Sequence, residues 1–244
     1  PQFSHISMIL GQDKSRLSKR HGATSALAYR DMGYLPDAMI NYLARLGWSH
    51  GDQEIFSCEE LIKYFSFGSV NTSAAIFDAN KLSWVNEQYI QSTPPEELAQ
   101  HLEPHLVKTR ILSEDHDLSP QEIAKVIPCL NQRAKTLVEM AEKSAFFFKK
   151  EVEFDEKARN KFLTEDARPL LEKVIAGFST LDDFSVENIE TLFKKIVEEE
   201  GMKLGKLAQP VRVALTGTTV SPGIYDVILL LGKEETLKRL QNVV

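Results

Sequence analysis

Ile6-Ser7-Met8-Ile9-Leu10-Gly11, continuing as Gln12-Asp13-Lys14-Ser15-Arg16-Leu17-Ser18-Lys19-Arg20-His21-Gly22-Ala23, decides how the chain is read. Ile6, Met8 and Leu10 alternate with Ser7 and Ile9, and Gly11 closes the run, which is the two-residue period of a strand. A lone strand is not stable by itself. Its partners are therefore expected in a preceding segment or in a small hairpin. The residues after Gly11 read as a basic loop leaving a strand end, with four cations between Lys14 and Arg20 and one apolar anchor, Leu17. Loops at strand ends are where open α/β sheets bind ligands. A lysine there supplies a point charge for phosphate and a serine a donor. Composition alone leaves a plain solvated loop as the simpler reading.

After Gly22 the chain reads as helices. Pro36 suits a first helical position, and Met39, Tyr42, Leu43 and Leu46 follow at the spacing of one inward face. Three capping boxes are expected: Ser57 with Glu60, Thr93 with Glu96, and Ser119 with Glu122. Further helices are expected from Asn131 to Phe148, from Ser185 to Gly201, and as a final pair beginning at Pro222 and Glu234 on either side of Gly232. Joints are expected near 92–95 and 164–169.

The 244 residues are 43% hydrophobic and 26% charged, an ordinary globular balance. That excludes a disordered tail, a collagenous repeat and a disulfide-rich scaffold. The longest apolar run, Val227 to Leu231, falls far short of the roughly 18 residues that span a bilayer, so no membrane partner is expected. Cys58 and Cys129 stand apart in no metal-type spacing and read as reduced, buried thiols. The start at Pro1, running directly into apolar-periodic sequence, reads as a piece cut from a longer chain.

A net charge of −6 would ordinarily argue against nucleic acid. The average hides two unlike parts. Residues 1–50 hold six Lys and Arg against three Asp, leaving −9 on the remaining 194.

Arg16-Leu17-Ser18-Lys19-Arg20 resembles the K-[LM]-S-K-[SR] loop of class I aminoacyl-tRNA synthetases, and Ser18 to Ala23 is similar to the glutamyl-tRNA synthetase version of it. The resemblance continues in order along the chain: Gly33-Tyr34-Leu35-Pro36, Asn41-Tyr42-Leu43, Leu46-Gly47-Trp48-Ser49, Phe77-Asp78 with Lys81-Leu82 and Trp84, Gln209 to Gly217, Ser221-Pro222-Gly223 and Leu230 to Glu234. Arg16 departs from the usual first lysine of the loop, keeping the charge but not the compact ammonium. No His-x-Gly-His tetrapeptide, the family's other nucleotide signature, occurs.

The resemblance implies a mainly α chain. A short N-terminal β segment would be the remnant of a class I Rossmann core, ending with the loop at 1–21. A helical stem-contact domain at 22–91 and two helical anticodon-binding subdomains at 92–165 and 166–244 would follow. It implies glutamate activation with ATP and transfer to the 3′ end of tRNA(Glu). Lys19 and Arg16 would be the catalytic cations, joined by Ser18 on the ATP phosphates. Arg133, Arg212, Ser221, Pro222 and Gly223 would lie at the anticodon. ATP, with Mg2+ in the intact enzyme, and glutamate are the implied ligands. No metal is expected on this piece, which would be a cytoplasmic monomer without ligase activity of its own. A stand-alone helical tRNA-binding module and a protein-interaction bundle are the competing readings.

Other residues point to simpler roles. His101 and His105 have metal-ligand spacing, but Pro104 is expected to interrupt their helix. Trp48 and Trp84 read as packing anchors. Phe146, Phe147 and Phe148 cannot all face inward on one helix. The acids of Glu198 to Glu200 read as a solvated face. For Arg133 an ion pair with Glu139 is the ordinary alternative to a base contact.

Overall fold

The computed structural model describes residues 7–18 and 25–244, and the chain divides into two units. The first comprises 1–109, 118–127 and 131–142; the second comprises 110–117, 128–130 and 143–244. The first holds β1 (Ile9–Leu10), α1 (Ala26–Asp31), α2 (Pro36–Gly47), α3 (Cys58–Tyr64), β2 (Ala75–Ile76), α4 (Ala79–Ser92), α5 (Pro95–Lys108) and α6 (Pro120–Ala124). Two helices, α7 (Ile127–Leu130) and α8 (Leu137–Phe148), contain residues of both units. The second unit continues with α9 (Glu156–Phe162), α10 (Arg168–Thr180), α11 (Val186–Glu199), α12 (Leu204–Thr216) and α13 (Ile224–Gln241). The chain is thus mainly helical with one short sheet, as the sequence led us to expect.

The strand's partner is not where the sequence suggested. β1 pairs in parallel with β2, Ile9 opposite Ala75 and Leu10 opposite Ile76. The Ala75 amide donates to the Met8 carbonyl at 3.2 Å and the Phe77 amide to the Leu10 carbonyl at 2.8 Å. Two residues per strand carry no readable alternation, so β2 left no signal within an otherwise helical sequence.

Capping side chains fix several helix starts by satisfying first-turn amides. Ser57 accepts from the Glu60 amide at 3.2 Å while Glu60 accepts from the Ser57 amide at 2.8 Å. Ser119 and Glu122 repeat the exchange. The third expected box does not form. Thr93 closes α4 instead, its hydroxyl donating to the Tyr89 carbonyl at 2.7 Å. A residue before proline is held out of the helical region. Thr93 (ψ 133°) and Pro94 (ψ 140°) accordingly make an extended joint ahead of α5.

α2 buries Tyr42 as expected, but Ala38 and Asn41 share its inward face in place of Leu43, which is 50% exposed. The Asn41 amide donates to the Glu54 carbonyl at 2.9 Å and accepts from the Phe56 amide at 2.8 Å. Tyr42 Oη donates to the Asp78 carbonyl at 2.9 Å and accepts from its amide at 2.7 Å. Burial pushes that phenol up to about 12. Asn86 ties the same unit together: it accepts from the Leu35 amide at 2.8 Å and donates to the Lys135 carbonyl at 2.6 Å. Here Gly33 is obligatory. Its φ is +86°, its carbonyl accepts from the Leu137 amide at 2.9 Å, and a Cβ would lie 2.6 Å from the Val138 amide nitrogen. That contact belongs to a turn, so α8 begins at Leu137 and not at Asn131.

In the second unit α10 to α13 close over Val174, Phe178, Phe193, Val211, Ala214 and Ile228, all fully buried. Each of the valine, isoleucine and phenylalanine side chains contributes about 1.5–3 kcal/mol on leaving water. Gly232, at φ 75° and ψ 168°, breaks α13 into the two expected halves. Arg239, 4% exposed, lies between the ends of α8 and α12. Its Nη1 donates to the Phe146 carbonyl at 2.7 Å and the Leu215 carbonyl at 2.8 Å, and Nη2 to the Lys149 carbonyl at 3.2 Å. Its Nε meets Glu235 at 2.7 Å. Burial alone would raise the Glu235 carboxyl, but the hydrogen bond and charge of Arg239 outweigh it and hold the group below the usual range.

Arg239→Met therefore strips three carbonyls and one carboxylate of their donor, and a loss of about 3–5 kcal/mol is expected in urea unfolding. Glu235→Gln, at the wetter end of the pair, should lose clearly less. A loss within about 1 kcal/mol for Arg239→Met would contradict this role.

Candidate nucleic-acid interface

The basic loop grows out of β1 as a tight return. The Gly11 amide donates to the Ser15 carbonyl at 2.8 Å and the Leu17 amide to the Ile9 carbonyl at 3.0 Å, with Leu10 and Arg16 bridged antiparallel. Asp13 fixes the turn by accepting from the Ser15 amide at 3.0 Å and its hydroxyl at 2.8 Å. Lys14 takes the left-handed conformation at φ 59°. The result places Arg16 exposed and Ser18 half-buried at the foot of the loop. Lys19 lies outside the described residues, as do Arg20 to Ala23.

Arg133 is exposed in the turn before α8. That turn is closed by Thr136, whose Oγ1 accepts from the Glu139 amide at 3.2 Å, while Glu139 accepts from the Lys135 amide at 3.1 Å. The exposed guanidinium thus stands on a backbone held by its own helix cap.

Arg212, Ser221, Pro222 and Gly223 form one corner between α12 and α13. Arg212 Nη1 donates to Ser221 Oγ and to the Pro222 carbonyl at 2.6 Å. Ser221 is not a helix cap: its hydroxyl donates to the Pro222 carbonyl at 2.9 Å, and α13 starts two residues later than expected, behind Gly223. A Cβ on Gly223 would meet Asp226 Oδ2 at 2.4 Å, so the glycine leaves room for that carboxylate beside the first turn. Carboxylates are favoured near a helix N-terminus. Gly217 sets the other side of the corner. At φ +76° it ends α12, and a Cβ would lie 1.9 Å from the Glu153 carbonyl oxygen. Arg212 and Ser221 are partly exposed, with Val220 80% exposed beside them. A planar guanidinium held on one edge at a surface can stack on or hydrogen-bond an unpaired base.

Elsewhere in the first unit the sequence reading missed an exposed aromatic and cation pair. Lys81 Nζ lies 4.0 Å from the ring centre of Trp84, which is 37% exposed and so is no core anchor, unlike the fully buried Trp48. Lys81 also meets Glu54 at 3.2 Å, opposite Arg45 at 3.2 Å. Burial would raise the Glu54 carboxyl, but hydrogen bonds from Arg45 and Lys81 hold it below the usual range. Cys58 is exposed and not buried.

Pro104 does not interrupt the histidines' helix; α5 continues through it to Lys108. His105 is 7% exposed, its Nδ1 is without a hydrogen-bond partner, and burial followed by the nearby Lys108 charge lowers its pKa. Among the described residues no group of three or more His, Cys, Asp and Glu could hold a metal ion.

Comparison with known proteins follows the same division of labour. Residues 97–244 match the family model described as an anticodon binding domain, and residues 1–84 match that of the class I tRNA synthetases (E and Q), catalytic domain. The glutamate–tRNA ligase of Thermodesulfovibrio yellowstonii is 50% identical over 244 residues, all of this chain and 52% of the relative. That of Syntrophobacter fumaroxidans is 52% identical over 242 residues, 99% of this chain and 51% of the relative. A crystal structure of a glutamate tRNA ligase from Elizabethkingia meningosepticum, in complex with its amino acid, superposes with a TM-score of 0.83 at 32% identity. It covers 100% of this chain and 51% of the other. The glutamate–tRNA synthetase of Elizabethkingia anophelis gives 0.79 at 33%, again over 100% of this chain and 51% of the other. The chain spans about half the length of the curated relatives it matches.

The lowered pKa of His105 has a stability consequence. The unfolded chain takes up a proton near pH 6.5 that the folded chain resists, so stability falls as pH drops through that value. Asp31 opposes this shift, while Arg30 and His101 reinforce it. Urea midpoints at pH 7.5 and 5.5 should fall further for the parent chain than for His105→Gln, and equal falls would contradict the assignment.

Proposed function

The chain belongs to the glutamate–tRNA ligase family of class I tRNA synthetases, and we propose that it is the tRNA-reading half of such a ligase. The intact enzyme activates glutamate with ATP and transfers it to the 3′ end of tRNA(Glu). In this chain residues 22–91 contact the tRNA stem, and 92–165 with 166–244 read the anticodon. The observation that carries the reading is the corner of Arg212, Ser221 and Pro222, where a guanidinium is oriented at the surface by hydrogen bonds from one of its nitrogens.

Arg16 and Lys19, with Ser18, supply charge and donors to the ATP phosphates. Their charge is worth most where charge develops on the leaving pyrophosphate, because such preorganised cations stabilise the transition state more than bound ATP. Mg2+ accompanies ATP in the intact enzyme, held outside this chain. At the anticodon, Arg133 and Arg212 read base edges while Pro222 and Gly223 shape the backbone beside them. The ligase acts as a monomer in the cytoplasm. By itself the chain binds tRNA but does not charge it.

Arg212→Ala should weaken tRNA(Glu) binding by about 1–3 kcal/mol, the range of one lost base-reading arginine. Arg133→Gln should change the preference between glutamate and glutamine anticodons. Filter binding with transcripts differing only in the anticodon measures both. Equal affinity for both anticodons before and after the change would overturn the reading of Arg133, and parent-like binding by Arg212→Ala that of the corner. Charging of tRNA(Glu) by this chain with ATP and glutamate would overturn the division of labour.

A further inference from the structure

The first unit contains a cavity of about 640 Å³ bounded by α1, the start of α2, and α5. This volume falls within the roughly 300–1,000 Å³ of small-molecule sites. Its α1 and α2 side lies in the part of the chain read above as contacting the tRNA stem, and none of the residues singled out for the ATP phosphates or the anticodon lines it. Its apolar side is formed by Leu27, Met39, Ile40, Leu43 and Pro104. Three of these are left unusually bare: Leu27 is 60% exposed, and Ile40 and Leu43 are 50% exposed each. Large apolar side chains gathered at one concave place, and not scattered singly, mark a surface that a ligand covers.

The polar side carries an excess of positive charge. Asp31 is shared between Lys108 at 3.3 Å and Arg30 at 3.7 Å, so one carboxylate faces two cations. His101 and the buried ring of His105 complete the wall.

We propose that the cavity binds a small hydrophobic monoanion, an apolar ring or branched chain bearing one carboxylate or an equivalent acidic group. The apolar body displaces water from Leu27, Ile40 and Leu43. The acid group lies against Lys108 and Arg30, neutralising the charge that Asp31 leaves over. A polyphosphate or a free nucleotide is a poor match, because the walls are mainly apolar and carry a single surplus charge. A cation is opposed by that charge.

The probe is 2-naphthoate, followed by backbone amide NMR shifts on the full 244-residue chain, with 2-naphthylmethanol as its neutral counterpart. The expected result is saturable binding with a Kd tighter than about 1 mM. Shifts should be confined to 26–43 and 100–108. Both the neutral analogue and Lys108→Ala should weaken binding by about two- to fivefold, as loss of a partly exposed charge contact requires. Lys108 is a surface side chain, and the neutral analogue makes the same test without any substitution. Shifts scattered over the chain, no binding, or equal affinity for the acid and the alcohol would overturn the proposal.

Discussion

Arg239 is the contact on which the second unit depends. Its guanidinium supplies donors to carbonyls at the ends of α8 and α12, while its Nε is held by Glu235 one turn earlier on α13. A helix end leaves carbonyls without intrahelical partners, and burying them is costly unless a donor arrives. One planar side chain meets that need for two helices at once, and a cation at a helix C-terminus also complements the dipole. The end of α12 is thereby fixed three residues after Arg212, and the chain then turns at Gly217 toward Ser221 and Pro222. The candidate anticodon corner is positioned by a contact buried in the core.

The first unit solves the same difficulty with neutral groups. Asn41, Asn86 and Tyr42 bond backbone amides and carbonyls of extended segments and turns that have no ladder partner of their own. Buried amides of this kind cost free energy when half-satisfied and specify one arrangement when complete. The single parallel pair of β1 and β2 adds to this, and together with the Asp13 turn it sets where the basic loop leaves the strand.

Much of this was legible in the sequence. Capping boxes at Ser57 and Ser119 and the break at Gly232 follow from local rules that the fold does not override. The losses have two causes. β2 was too short for periodicity, while Asn41 took the buried place expected for Leu43 on α2 and Thr93 was claimed by the end of α4 before it could cap α5. In the last two cases a backbone group's need for a hydrogen bond outweighed local spacing. The Arg212 corner was legible only as a block of familiar residues; its geometry, with Ser221 turned toward the arginine and not toward the helix, was not. The cavity beside α5 left no sequence signal, because its apolar residues come from three separate helices.

The net charge of −6 therefore says little about partners, since the cations that matter are held at a few defined places. The central claim is that this chain reads the anticodon. A hydroxyl-radical footprint of tRNA(Glu) saturated with the 244-residue chain tests it most directly. Protection of the anticodon loop, lost when Arg212 is replaced by alanine, is the predicted result. An anticodon loop cleaved as in free tRNA, with protection elsewhere only, would contradict it.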